Sequence, residues 1–172
     1  GELRIDAGTF NYGSGNNTMN FTNTATPGSV LNMSGGTINF LGVVSFSSDV
    51  DVQFNMTGGN INVDVQATNN SASSTAAFSI GASTTVNWSG GVVTIIDPRA
   101  TAGGGSFANA TATNKIITGG KLRIGDGVSV TTGGTLSNTS GFGLSGVVWD
   151  LEIDNLTNIS TSRMARTTGT VT

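Results

Sequence analysis

The chain has 172 residues, enough for one domain with a sizeable core, and includes 26 glycines, two prolines, no cysteine and no histidine. Its net charge is −3 with no basic residue between Arg4 and Arg99, so most of the chain offers no cationic stripe to nucleic acid, and its apolar runs are too short for a membrane helix. Only 10% of residues are charged, but 36% are apolar and regularly spaced, which disfavours disorder, while the wealth of Gly, Asn, Ser, Thr and Val disfavours helix.

In chain order, the first element is 3–12 (LRIDAGTFNY), where apolar and polar residues alternate on either side of Ala7-Gly8. A short alternating run follows at 18–21 (TMNF). Residues 31–40 (LNMSGGTINF) give the pattern in full: apolar, polar, apolar, polar, Gly-Gly, polar, apolar, polar, apolar. The stretch 43–54 (VVSFSSDVDVQF) alternates again, and 54–63 (FNMTGGNINV) repeats the full unit. Residues 66–76 (QATNNSASSTA) are small and polar and read as a loop excursion. The unit returns at 86–95 (VNWSGGVVTI), departing only at Val92. Asp97-Pro98-Arg99 then introduces a second small, Gly-rich excursion at 100–113, where proline is tolerated because the strand has ended. Residues 115–124 (KIITGGKLRI) keep the second half of the unit and blur the first. Residues 129–138 (SVTTGGTLSN) are degenerate, a half-coil or a chance match, of which chance is preferred.

The second glycines of these units, Gly8, Gly36, Gly59, Gly91, Gly120 and Gly134, are spaced by 28, 23, 32, 29 and 14 residues. A period of this kind with variable insertions is the signature of a solenoid. The chemistry of one unit explains its form. Alternation puts Leu31 and Met33 on one face of a strand and Asn32 and Ser34 on the other. The glycine pair then lets the backbone bend where a β-carbon would resist positive φ. Ile38 and Phe40 turn inward after the bend, with Thr37 and Asn39 outward. The expected rung corners are Gly8, Gly35, Gly36, Gly58, Gly59, Gly90, Gly91, Gly119 and Gly120. Three apolar ladders follow from the register. One is Ile5, Met33, Met56, Trp88 and Ile117; the second is Phe10, Ile38, Ile61, Val93 and Leu122; the third is Tyr12, Phe40, Val63, Ile95 and Ile124.

Rungs about 4.8 Å apart would bury these ladders as a continuous core. The expected fold is an all-β parallel β-helix of five to six rungs with two loop excursions, forming one domain over residues 1–172. An antiparallel β-sandwich is the alternative, since it too uses alternation and glycine turns. The chain starts at Gly1 without a signal peptide and reads as a mature or excised segment of something longer. The lack of cysteine fits an exported protein without disulfides, and many cytosolic proteins as well.

The unit, together with VVWDLEIDNLTNIS at 147–160, resembles the right-handed β-helix regions of large secreted bacterial surface proteins. The similarity is to adhesin-like proteins of Bacteroidota exported by the type IX secretion system, whose recurrent rung L-x-I-x-N-x-T is matched by LEIDNLTNIS. Autotransporter passengers and phage fibres share such motifs. The resemblance implies extracellular or cell-surface display, a long parent protein, a fibre-like scaffold or adhesive role, and no catalytic residues. Neighbouring solenoid modules, copies of the chain, surface glycans or a secretion translocon are the partners expected.

Chemistry is harder to find. Without His or Cys, the Ser-His-Asp and Cys-His arrangements and ordinary zinc sites are excluded, and no phosphate-binding loop is present. Gly125-Asp126-Gly127 reads as a turn. By fold analogy with polysaccharide-degrading β-helices, a carboxylate cluster would combine Asp49, Asp51 and Asp64 with Asp97 and Arg99. Asp49 and Asp51 are expected on one strand face, where solvated acids are the plainer reading. Calcium would need more oxygen ligands than this DVD offers. Asp150, Glu152 and Asp154 alternate with Trp149, Leu151 and Ile153, and Lys115, Lys121 and Arg123 lie close enough for pairing across rungs. Sequons at Asn32, Asn55 and Asn87 fall out of an Asn- and Thr-rich outer face on which stacked asparagines bond along a ladder. A flat threonine lattice for ice does not emerge, because the outward positions mix Asn, Ser, Thr, Asp and Arg.

Overall fold

The computed structural model describes residues 1–13, 18–23, 26–63, 77–95, 107–109, 115–124, 135–138, 148–151 and 163–166. Each rung contributes a strand to each of three sheets. The first comprises β1 (Glu2–Ile5), β2 (Thr9–Tyr12) and β3 (Thr18–Phe21), and the second β4 (Val30–Met33), β5 (Thr37–Phe40) and β6 (Val43–Phe46). The third has β7 (Gln53–Met56), β8 (Asn60–Val63) and β9 (Phe78–Ile80); the fourth has β10 (Thr85–Trp88), β11 (Val92–Ile95) and β12 (Phe107–Asn109). The fifth has β13 (Lys115–Ile117), β14 (Lys121–Ile124) and β15 (Thr135–Asn138), after which β16 (Val148–Leu151) and β17 (Arg163–Arg166) extend two of the faces.

The sheets are ordered β1-β4-β7-β10-β13, β2-β5-β8-β11-β14-β16 and β3-β6-β9-β12-β15-β17. Every pairing is parallel, between strands one rung apart. This is a parallel β-helix, and it excludes the antiparallel sandwich. Among the described residues no helix is long and apolar enough to cross a membrane.

The register aligns Ile5, Met33, Met56, Trp88 and Ile117 on the first sheet. On the second it aligns Phe10, Ile38, Ile61, Val93 and Leu122, and beside them Tyr12, Phe40, Val63, Ile95 and Ile124. From Met33, Ile38 and Phe40 to Trp88, Val93 and Ile95 these side chains are buried, as is Leu122; Ile5, Phe10 and Ile117 are half-buried and Tyr12 is exposed. The third sheet adds Phe21, Phe46 and Phe78, which join Phe54 of the first in an aromatic set. Phe21 stacks on Phe46 at 4.5 Å and 7°, and Phe46, Phe54 and Phe78 meet at 5.3 to 5.8 Å.

The two glycines of each corner do different work. Gly8, Gly36, Gly59, Gly91 and Gly120 hold φ between +70° and +100°, the region open to a residue without a β-carbon. The first glycine is required by the rung beneath. A β-carbon on Gly58 would lie 2.5 Å from the Ser34 carbonyl oxygen, and one on Gly35, Gly90 or Gly119 would strike the carbonyl of Asp6, Thr57 or Ser89 in the same way. Ladder bonds on both sides of the corner hold the rungs at that separation, such as Thr57 N–H to Met33 O at 2.9 Å and Asn60 N–H to Gly36 O at 3.0 Å.

Three sequence expectations are revised. Asp49 and Asp51 do not share a strand face: the strand ends at Phe46, and Val50-Asp51 form a turn before β7. Strand β12 (Phe107–Asn109) falls inside the segment 100–113 read as an excursion, and the rest of that segment and 66–76 lie outside the described residues. The last alignment, 129–138, is not a further corner-following strand of the second sheet. Its strand β15 pairs with β12 and β17 on the third, so the 14-residue step measures the passage from one face to the next. Gly134 and the turn Gly125-Asp126-Gly127 lie outside the described residues.

Candidate functional surface

The outward side chains form bonded columns. On the first sheet, Asn87 Nδ2 donates to Asn55 Oδ1 at 2.8 Å, Asn55 Nδ2 to Asn32 Oδ1 at 2.8 Å, and Asn32 Nδ2 to Glu2 Oε1 at 2.7 Å. On the second, Asn62 donates to Asn39 and Asn39 to Asn11, each at 2.8 Å. Ser79 donates to Ser45 on the third at 3.1 Å. The parallel register explains these chains, because identical residues repeat at the separation of neighbouring strands and an amide has both donor and acceptor. The three sequon asparagines are therefore consecutive members of one ladder. Asn55→Ala removes a donor and an acceptor from the middle of that ladder. We expect a loss of about 1–2 kcal/mol in chemical denaturation, with Asn87→Ala, which has one such bond, costing less.

Asp6, Asp49 and Asp51 occupy corners. At the first corner of the first rung, Ser34 Oγ donates to Asp6 Oδ1 at 2.6 Å and Arg4 Nε to Asp6 Oδ2 at 2.8 Å. Those two bonds, the hydroxyl foremost, hold the Asp6 carboxyl below its ordinary value. At the turn between β6 and β7, Ser47 Oγ donates to Asp49 Oδ2 at 2.6 Å and the Asn23 backbone N–H to the same oxygen at 3.2 Å. Asp49 is lowered by the Ser47 hydroxyl first and the Asn23 N–H second. Asn23 Nδ2 also donates to Asp51 Oδ2 at 3.1 Å. One asparagine thus ties both members of the DVD to the rung before, with the intervening Val50 67% exposed.

Stability should follow these two carboxylates on acidification. Both have folded values below their unfolded ones, so their contribution is present at neutral pH and is lost as pH falls through the folded values, below about 4. Thermal melts across this range should show a steepening loss below the usual carboxylate value. An Asp6→Asn, Asp49→Asn double variant should show a shallower acid limb; an unchanged limb would assign the acid sensitivity elsewhere.

Of the candidate cluster, only Asp49 and Asp51 are brought together; Asp64, Asp97 and Arg99 lie outside the described residues, as do Glu152 and Asp154. The register sets Asp150 beside Arg123 and Val148 beside Lys121 on the second sheet, with Lys115 on the first. Among the described residues no group of three or more His, Cys, Asp or Glu is placed to hold a metal ion. Sequence reasoning missed Asn23 and Ser47 as the partners of Asp49 and Asp51. Their only signal was a polar residue just past TMNF and another just past VVSF, at strand ends where a carboxylate one turn away finds donors. Compared with protein-family models, curated proteins and solved structures, the chain matches none.

Proposed function

We propose that the chain is a non-enzymatic structural and adhesive segment of an extracellular filament or cell-surface adhesin, akin to the type IX-secreted proteins that its repeat resembles. The observation that carries this reading is the continuity of three parallel sheets through successive rungs, reinforced outside by asparagine ladders. Such a stack supplies length and stiffness, and its repeated outward rows present the same chemistry many times along one axis. Neighbouring modules or surface glycans are the partners that such a surface suits.

The described carboxylates support a structural part over a catalytic one. Asp6 sits at the corner between the first and second sheets and Asp49 and Asp51 at the corner between the third sheet and the first, each engaged with residues of the solenoid itself. A general acid of a glycosidase needs its carboxyl raised, whereas Asp49 is lowered.

Antibodies against the purified chain test the reading on intact cells of its source. Labelling that disappears after external protease is the expected result, and labelling only after permeabilisation would overturn display. Incubation with neutral and acidic polysaccharides should release no reducing ends or unsaturated products. Turnover abolished by Asp49→Ala would replace the structural reading with an enzymatic one.

A further inference from the structure

The first rung differs from those stacked on it in a concerted way. Along its first strand and corner, the outward residues are Glu2, Arg4 and Asp6, followed by Ala7. The same four positions are Val30, Asn32, Ser34 and Gly35 in the second rung, Gln53, Asn55, Thr57 and Gly58 in the third, and Thr85, Asn87, Ser89 and Gly90 in the fourth. Every outward position that is neutral in the next three rungs is charged in the first, and the glycine has become alanine.

Each change has a physical consequence at the open side of β1, the outermost strand of its sheet. Val30 N–H bonds to Gly1 O at 2.9 Å and Ser34 N–H to Ile5 O at 3.1 Å. In a parallel ladder alternate residues address opposite neighbours, so Glu2 and Arg4 turn their backbone groups away from β4. The residues whose backbone groups face away from β4 are thus the ones with charged side chains, and charge on an edge strand opposes strand addition. Ala7 acts sterically. Its position is that of Gly35, Gly58, Gly90 and Gly119, each of which needs the absent β-carbon because the carbonyl of the rung beneath lies there. A rung placed in register under the first would drive its own carbonyl into the Ala7 methyl. The ladder donors also point to this edge. The donors of Asn87, Asn55 and Asn32 run in one direction and end on the Glu2 carboxylate, while Ser34 ends on Asp6, groups that only accept.

We infer that the β1 edge of this chain is set against in-register stacking by a second copy of the same chain. This deepens the stacked-module reading and rests on it by giving the stack a direction, but the two fail separately, since surface labelling of cells is independent of how purified copies associate.

Hydrogen exchange on the wild-type chain at rising concentration, together with sedimentation velocity, tests the inference. The amides of Glu2 and Arg4 should exchange at a rate independent of concentration. Slowing of those amides as copies associate would overturn the guarded edge. The second arm restores the pattern of the second rung with Glu2→Val, Arg4→Asn, Asp6→Ser and Ala7→Gly together. The variant, shown folded by circular dichroism, should sediment as larger species with the amides at positions 2 and 4 slowed about tenfold or more. A folded variant that stays as dispersed as the wild type would overturn the inference. Should the variant not fold, the concentration series on the wild type decides alone.

Discussion

Gly58→Ala is expected to lower the stability of the solenoid by about 3 kcal/mol, at the upper end of overpacking effects, although it adds a single methyl group at a surface corner. Backbone conformation is not the cause, because the positive φ belongs to Gly59 next to it. The cause is the Ser34 carbonyl, 2.5 Å from where the new β-carbon would sit. A side chain in that place would rotate aside, but this carbonyl belongs to the rung beneath, fixed by Thr57 N–H to Met33 O and Asn60 N–H to Gly36 O. Relief requires the second and third rungs to part at the corner, which lengthens those bonds and loosens Met33, whose Cε already rests against Gly59. Ala7→Gly is the matched control. It removes the same methyl where no carbonyl opposes it, and should change stability by less than about 1 kcal/mol through backbone entropy alone. Denaturant midpoints of the two variants check this, and equal effects would refute the steric account.

Much of this architecture was legible in the sequence because a parallel register repeats residue types. The columns Met33-Met56-Trp88 and Ile38-Ile61-Val93 could be read off by aligning glycine pairs, and the same alignment predicted the asparagine ladders. The third face was less legible. Its strands β3, β6 and β9 carry no glycine pair, and the interval before them differs from rung to rung, short from Phe40 to Val43 and long from Val63 to Phe78. The alternating DVDV misled for a related reason. Alternation describes which side chains point outward but not whether the backbone has a neighbour to pair with, and here the chain turns at Asp49 to Asp51 to enter the next rung. Ala7 was noticed as an imperfection of the repeat; its meaning required seeing what the glycine at that position avoids in every later rung.

Phe54→Ala should be the most damaging of the core truncations, at about 3–5 kcal/mol. Phe54 is fully buried on the first sheet and meets Phe46 and Phe78 from the third sheet at 5.3 and 5.8 Å, and Trp88 of its own sheet in the rung above at 6.0 Å. Phe46 lies in the second rung, Phe54 and Phe78 in the third and Trp88 in the fourth, so Phe54 joins three rungs, as Phe46 does between Phe21 of the first and Phe54 and Phe78 of the third. In a solenoid, stability is a sum of rung terms and nearest-neighbour interface terms, and cooperativity lasts only while the interfaces are strong. Removing this ring weakens two adjacent interfaces at once, so the unfolding transition should broaden as well as shift. Trp88 reports locally in a Trp149→Phe background, the chain having two tryptophans. Its fluorescence midpoint in the Phe54→Ala variant should separate from the circular-dichroism midpoint, whereas the two coincide in the parent. Phe54→Leu, which keeps most of the volume, should cost under about 1.5 kcal/mol and preserve the coincidence. If Phe54→Ala shifts the midpoint no more than Phe54→Leu does, the aromatic set is filling space without coupling the rungs.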